Sequence, residues 1–181
     1  PENWSLTWSV AGIGDFNGDR TSDILWSDPG SNAAAIWDLD SGQIARSTDL
    51  GNAGANWSVA GVGDFNRDGT SDVLWRGADG GVMIWDESSI SKSELVSSNP
   101  GSAWSIIGIG DFNGDGFSDI LWRGYNDDLA IWNMNDNIII DGGLISSPQP
   151  FASSLMTIED FNGDGKSDLL WSSTNGQKMI W

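Results

Sequence analysis

Two side chains that catalysis and metal binding often need are absent from this sequence. The 181 residues include no cysteine and no histidine. Without cysteine there is no disulfide, thiol nucleophile or iron–sulfur cluster. Without histidine there is no imidazole base of the usual hydrolase triads. The sequence also lacks a G-x-S-x-G elbow, and no pair of carboxylates stands out from the scattered acidic residues. We therefore interpret the chain as a protein without enzymatic activity.

Basic side chains and long apolar runs are scarce as well. Eight Lys and Arg residues stand against 26 Asp and Glu residues, which gives a net charge of −18 at pH 7. A charge of that sign repels phosphate groups, so we expect no nucleic-acid partner. The apolar runs are a few residues long, far short of the about 20 residues of a spanning helix. We therefore expect no membrane insertion.

The sequence does contain a clear internal repeat. DFNGDRTSDILW begins at residue 15, DFNRDGTSDVLW at 64, DFNGDGFSDILW at 111 and DFNGDGKSDLLW at 160, so the period is 47 to 49 residues. An Ile-Trp pair follows each copy, at residues 36–37, 84–85, 131–132 and 180–181. Such a period is typical of repeat architectures. We place the repeats at residues 8–56, 57–103, 104–152 and 153–181, forming one propeller domain or a segment of one.

Each repeat has the pattern of several short strands. In the second repeat we predict strands at Trp57–Gly63, Ser71–Arg76, Gly81–Asp86 and, more weakly, around Glu94–Ser97. No window keeps a helical period, and Gly, Asn, Asp and Ser separate the apolar runs. Four strands in about 48 residues is the size of one propeller blade. The sequence therefore predicts an all-β fold, a β-propeller of four-stranded antiparallel blades whose last blade is incomplete.

These residues resemble a known family. The pattern GDFNGDGFSDILW at residues 110–122 and its counterparts resemble the FG-GAP and VCBS-type repeats of integrin-like β-propellers. The resemblance covers nearly the whole chain in four copies. It implies a secreted or cell-surface protein with calcium in its blade loops. Members of the family serve in adhesion, in ligand binding, or as accessory parts of larger extracellular proteins.

The loop chemistry also favours calcium when it is considered by itself. Ca²⁺ takes about six to eight oxygen ligands. Counted from the first aspartate of each repeated D-F-N segment, positions 1, 3, 5 and 9 of the loop offer side-chain oxygens, and position 7 offers a backbone carbonyl. Three carboxylates in one loop repel each other unless a cation is present. The predicted ligands are Asp15, Asn17, Asp19, Thr21, Asp23, Asp64, Asn66, Asp68, Thr70, Asp72, Asp111, Asn113, Asp115, Phe117, Asp119, Asp160, Asn162, Asp164, Lys166 and Asp168.

Two other interpretations of these loops exist. An EF-hand loop also begins D-x-N-x-D-G, but it needs an acidic ligand at position 12 and a following helix. Position 12 here is a tryptophan, as at Trp122, and a strand follows. The loops could also be metal-free turns, since Asp, Asn and Gly favour turns. We expect up to four calcium sites, the first being the weakest because Arg20 replaces the glycine of position 6.

The tryptophans allow a structural and a ligand-binding interpretation. Eight of the 12 recur at two fixed places in every repeat, where we expect them to fill the space between blades. Trp8, Trp57 and Trp104 begin the innermost strands. For these three we expect either core packing or a sugar-stacking platform at one mouth of the propeller.

The expected function is that of a non-catalytic, calcium-binding extracellular module that binds a carbohydrate or a protein. Two alternatives are a structural repeat protein of a surface layer or filament, and the accessory propeller of an extracellular polysaccharide-acting enzyme. Three architectures fit four repeats: a segment of a longer propeller, a homodimer that completes an eight-bladed ring, or four blades closing alone. The first two are favoured, since an open propeller exposes an apolar face and a sheet edge.

Overall fold

Short strands joined by glycine- and aspartate-rich turns make up the regular structure of the described residues, 7–86, 93–145 and 153–181, of the computed structural model. The strands are β1 (Ser9–Gly14), β2 (Asp23–Asp28), β3 (Ala33–Asp40), β4 (Gln43–Asn52), β5 (Trp57–Gly63), β6 (Asp72–Gly77), β7 (Val82–Trp85), β8 (Ser93–Leu95), β9 (Trp104–Gly110), β10 (Asp119–Gly124), β11 (Leu129–Asn135), β12 (Ile138–Ile145), β13 (Ser153–Glu159), β14 (Asp168–Ser173) and β15 (Lys178–Ile180). In this part of the chain no helix is long and apolar enough to cross a membrane.

The strands form four antiparallel sheets in which neighbours in sequence are neighbours in space. The sheets are β1–β4, β5–β8, β9–β12 and β13–β15, and we call them blades 1 to 4. Blades 1 to 3 have four strands and blade 4 has three. This confirms the predicted all-β propeller blades and the incomplete last blade. In blade 2 the second and third strands lie within one or two residues of the predicted bounds.

Each blade packs face to face on the next, and its first strand is the innermost. The first strands of successive blades lie side by side, β1 with β5, β5 with β9 and β9 with β13. Apolar side chains fill the three spaces between blades, since each blade offers its neighbour one apolar face. The buried residues at these spaces include Phe16, Leu25, Ile36, Val73 and Trp75; then Phe65, Leu74, Ile120 and Trp122; then Leu121, Leu129, Leu169 and Trp171.

The row of blades is open. Among the described residues, the first strands of blades 4 and 1 do not lie together as the first strands of adjacent blades do. One face of blade 1 and one face of blade 4 therefore lack a neighbouring blade. Ile13 on blade 1 is 66% exposed, and Phe161 on blade 4 is 43% exposed although the equivalent Phe16 is 2% exposed.

Candidate functional site: the aspartate-rich loops

Four loops of the same construction join the first strand of each blade to its second strand. They cover residues 15–22, 64–71, 111–118 and 160–167. We number loop positions from the first aspartate, so that Asp111 is position 1 and Asp119, at the start of β10, is position 9. The repeated fold of the loop follows from its sequence, because the same residue types recur at the positions that shape the turn.

The aspartate at position 1 holds the loop together. In the third loop, Oδ1 of Asp111 accepts hydrogen bonds from the amides of Gly114, at 2.7 Å, and Asp115, at 3.1 Å. Its Oδ2 accepts one from the amide of Gly116 at 2.8 Å. Asp15 and Asp160 make the same three bonds in the first and fourth loops. One side chain therefore closes the turn around itself.

Positions 3 and 5 continue this pattern toward the end of the loop. Oδ1 of Asn113 accepts a hydrogen bond from the Asp115 amide at 2.8 Å, and Oδ1 of Asp115 accepts one from the Phe117 amide at 2.9 Å. The same two bonds recur in the other three loops. A carboxylate has about four lone-pair sites, so these bonds leave acceptor capacity on each side chain.

Position 6 requires a left-handed backbone. Its φ is 86° at Gly69, 89° at Gly116 and 85° at Gly165. In the first loop Arg20 occupies the same conformation with a φ of 67°. The turn is therefore the same in all four loops, and the first one contains a residue that is strained in this conformation.

The aspartate at position 9 is directed elsewhere. Asp119 is fully buried. Its Oδ2 accepts a hydrogen bond from the Phe112 amide, and its Oδ1 accepts one from the Met134 amide, both at 2.9 Å. Asp23 makes the matching bonds to Phe16 and Leu39. This carboxylate ties the loop to the third strand of the blade, a role that the sequence analysis did not identify.

The two kinds of aspartate differ in their protonation chemistry. Burial raises the pKa of Asp72 to about 7 and that of Asp119 to about 6, both at position 9. At exposed positions the shift is opposite. The backbone amide of Thr21 lowers the pKa of Asp19, and the backbone amide of Gly165 lowers that of Asp160. Negative charge is thus favoured at Asp19 and Asp160 in the turns and disfavoured at Asp72 and Asp119 beneath them.

The turn has suitable donor atoms for a hard cation, although its carboxylates do not already form a cage. Among the described residues no group of three or more carboxylates lies close enough together to hold a metal ion. Positions 1, 3 and 5 nevertheless offer oxygens with unused lone pairs, and position 7 offers a carbonyl. This is the oxygen-only donor set that Ca²⁺ prefers. In the first and third loops both oxygens of the position-9 carboxylate are already engaged by backbone amides.

Neighbouring loops touch one another, so they lie in a row along one rim. Thr70 in the second loop lies against Gly18 in the first. Arg67 lies against Gly116, with its guanidinium carbon 5.9 Å from the centre of the Phe117 ring. Lys166 lies against Gly114. The third loop is therefore flanked by two cationic side chains from its neighbours.

Most of the recurrent tryptophans belong to the packing between blades. Trp75, Trp122 and Trp171 are buried in the inter-blade cores. Trp75 lies 4.6 Å from Trp85 between ring centres, and Trp122 lies 4.7 Å from Trp132, with tilted planes. The first blade repeats this with Trp26 and Trp37 at 4.8 Å. These contacts confirm the predicted role between blades for the tryptophan pairs of blades 2 and 3 and for Trp171, whereas Trp181 is 38% exposed.

The three tryptophans at the inner strands are half-buried. The Trp57 ring packs on Gly77 and Gly81, within 3.1–3.4 Å of where a Cβ on either glycine would lie. Trp104 packs on Gly124 in the same way, at 3.4 Å. The corresponding residue in blade 1 is Asp28, so Trp8 has no such glycine beneath it. Trp57 and Trp104 therefore have a packing role, and neither residue is fully buried.

Comparison with known proteins identifies the repeat. A model of an FG-GAP-like repeat matches residues 15–75, 64–122 and 111–171, which together span most of the chain. Each match begins at one aspartate-rich loop and ends at the tryptophan of the second strand in the next blade. No curated protein matches the sequence.

Proposed function

The chain belongs to the FG-GAP-like repeat family, and on that premise we propose that it is a calcium-stabilised, non-catalytic binding module that works outside the cell. Its β-propeller blades present four equivalent oxygen-rich turns along one rim. The observation that carries the proposal is the loop geometry. Positions 3 and 5 accept the same backbone amides in all four turns, and position 1 does so in three of them, so each turn is preorganised for the same cation.

In this proposal the cation supplies positive charge to turns that contain several carboxylates. Asp111 and Asp115 would hold it in the third loop together with Asn113 and the carbonyl of Phe117. Positions 1, 3, 5 and 7 have the same roles in the other loops. The turns lack the acidic ligand of an EF-hand at position 12, so we expect affinity in the range of about 10⁻⁴–10⁻³ M that is typical of extracellular modules. Such an affinity is useful where calcium is abundant, which supports a secreted or cell-surface location.

Thermal unfolding in calcium and after EDTA dialysis tests the proposal. We expect a higher melting temperature in calcium at low salt, because a ligand that binds only the folded state stabilises it. The double variant Asp111→Asn with Asp115→Asn should lose part of this increase. The matched control is Asp40→Asn with Asp141→Asn, which removes the same charge from exposed residues outside the loops. Equal melting temperatures with and without calcium for the parent chain would contradict the proposal.

The ligand we propose is a carbohydrate, with an extracellular protein as the alternative. The support is that Trp57 and Trp104 are half-buried rather than buried, since a pyranose ring can stack on an accessible aromatic face. Binding to a broad glycan array should be selective and should weaken in Trp104→Phe, which keeps an aromatic ring on Gly124. A folded chain that binds no glycan in calcium or in EDTA would point to a protein ligand.

A further inference from the structure

One steric fit recurs at all three interfaces between blades. The first strand of each blade has two glycines, and a β-branched side chain of the next blade fills the space above them. Val62 packs on Gly12 and Gly14, Ile109 on Gly61 and Gly63, and Ile158 on Gly108 and Gly110. A Cβ on Gly63 would lie 2.8 Å from Cγ2 of Ile109, and one on Gly110 would lie 3.0 Å from Cγ2 of Ile158. Any side chain larger than glycine would therefore force the side chains of the neighbouring blade to shift.

A hydrogen bond accompanies each fit. The serine at loop position 8 of the following blade donates its backbone N–H to the carbonyl of the position-1 aspartate of the preceding blade. The pairs are Ser71 with Asp15, Ser118 with Asp64 and Ser167 with Asp111, each at 2.7 Å. One blade therefore contributes a Gly-x-Gly-Asp strand end, and the next contributes a β-branched residue and a serine.

Blade 1 has the β-branched residue and the serine of such an interface, but no described blade packs a Gly-x-Gly-Asp strand against them. Ile13 is equivalent to Ile109, and Ser22 is equivalent to Ser118. Ile13 is 66% exposed, whereas Val62, Ile109 and Ile158 are half-buried. Ser22 is exposed, and no aspartate carbonyl among the described residues accepts its N–H. We call this surface, formed by Ile13 and Ser22, the entry face. It has the same two features as the corresponding side of the three interfaces between blades.

Blade 4 does not supply the missing half. Thr157 and Glu159 stand where the other blades have glycines, because they pair with Leu170 and Asp168 as Gly12 and Gly14 pair with Leu25 and Asp23. Both residues are exposed, and their side chains would meet an incoming Ile13. The glycine pairs of blades 1 to 3 are already covered by the following blade. Neither this chain nor a second copy of it therefore has an available Gly-x-Gly-Asp strand.

We propose that the entry face of blade 1 docks the first strand of another FG-GAP-like repeat that carries Gly-x-Gly-Asp, and that Thr157 and Glu159 prevent blade 4 from making this contact. The occupant is defined by its chemistry: two glycines that admit Ile13, and an aspartate carbonyl that accepts the Ser22 amide. A homodimer closed by blade 4 on blade 1, one of the architectures expected from the sequence, is disfavoured by Thr157 and Glu159. The inference does not depend on calcium.

A five-repeat fusion tests the docking half of the proposal. A copy of residues 57–103 is placed directly before Trp8, because in the chain residue 103 runs into the equivalent Trp104. Hydrogen exchange at the Ser22 amide, measured by NMR, should slow by about tenfold or more as the amide gains a carbonyl partner. The matched control carries Gly61→Thr and Gly63→Glu in the added copy only. In that control, Ser22 should exchange as in the parent chain. No slowing in the glycine fusion, or equal slowing in both fusions, would overturn the docking.

A second variant tests the refusal by blade 4. Thr157→Gly with Glu159→Gly gives blade 4 the missing glycines in the natural chain. We expect this variant to associate head to tail, visible as a concentration-dependent mass in sedimentation, while the parent stays monomeric. Thr157→Ser with Glu159→Gln keeps both Cβ atoms and should also stay monomeric. Association of the parent that Ile13→Asp abolishes would show that blade 4 accepts the entry face, and would overturn this half. Absence of association in a folded double-glycine variant would do the same.

Discussion

Asp115 and Asp119 lie four residues apart in one loop, yet their surroundings differ. Asp115 lies in the turn and accepts a hydrogen bond from a loop amide. Asp119 is buried beneath it and accepts hydrogen bonds from Phe112 and from Met134 on another strand. One aspartate shapes a surface turn, whereas the other is part of the blade. Equal residue types at regular spacing therefore need not belong to one site.

The largest expected effect on stability is that of removing the buried carboxylate, Asp119. Asp119→Ala leaves the amides of Phe112 and Met134 without partners inside the blade. Each unsatisfied buried donor costs about 1–3 kcal/mol, so we expect a loss of roughly 2–5 kcal/mol in the free energy of unfolding. Denaturant unfolding followed by tryptophan fluorescence in EDTA measures it. Asp115→Ala is the matched control and should lose less than about 1 kcal/mol, because the amide it releases can bond to water. Equal losses would mean that the two aspartates have equivalent structural roles.

The pH dependence of the free energy of unfolding tests how burial affects the aspartates at position 9. Burial raises the pKa of Asp72 to about 7 and that of Asp119 to about 6 in the folded chain. An unfolded aspartate has a pKa of about 3.9. Between about pH 5 and pH 8 the folded state therefore binds more protons than the unfolded state, and stability rises as the pH falls. On going from pH 8 to pH 5.5 we expect the metal-free protein to gain about 2 kcal/mol from Asp72 and about 1 kcal/mol from Asp119.

Relief of repulsion among the chain's many acidic groups acts in the same direction, so this experiment needs a control. Asp72→Asn is uncharged at every pH and should flatten the stability profile between pH 5 and pH 8. Asp19→Asn should leave the profile in that window unchanged, because backbone hydrogen bonding lowers the pKa of Asp19. If both variants keep the parent profile, burial of Asp72 is not its cause.

Calcium-dependent stabilisation should depend on Asp115 and not on Asp119, which is the reverse of the order expected for stability in EDTA. At a concentration ten times the dissociation constant, one site that binds only the folded state adds about 1.4 kcal/mol. Asp115→Asn should lose about this much of the calcium-dependent stabilisation while its stability in EDTA changes little. Asp119→Asn should be less stable in EDTA and keep its response to calcium. Both numbers come from paired unfolding curves in calcium and EDTA. A lost calcium response in Asp119→Asn would show that position 9 is a ligand after all.

The sequence analysis correctly predicted what is local and repeated. The missing outer strand of blade 4 and the four recurring aspartate-rich loops both follow from the spacing of a few residues. The role of Asp119 could not be predicted in this way, because Met134 is 15 residues away and only the folded blade brings its amide to the carboxylate. A buried acceptor and a calcium ligand also place the same demand on the sequence, namely an aspartate at fixed spacing. The sequence contains the paired glycines of the first strands, but it does not reveal their fit, because the side chain that each one admits comes from another repeat.

The smallest expected effect concerns the turn that differs from the others. Arg20 adopts a φ of 67° where the other loops have glycine. A non-glycine residue in this conformation costs about 1–2 kcal/mol. Glycine avoids this strain, but it costs about 0.5–1 kcal/mol because the unfolded chain then has more conformational entropy to lose. Arg20→Gly should therefore raise the free energy of unfolding in EDTA by about 0.5 kcal/mol. It should also increase calcium-dependent stabilisation, because a cation next to the turn is removed. Arg20→Ala removes the charge but keeps the strain. If Arg20→Ala matches Arg20→Gly in EDTA, the left-handed backbone is not what distinguishes the first turn.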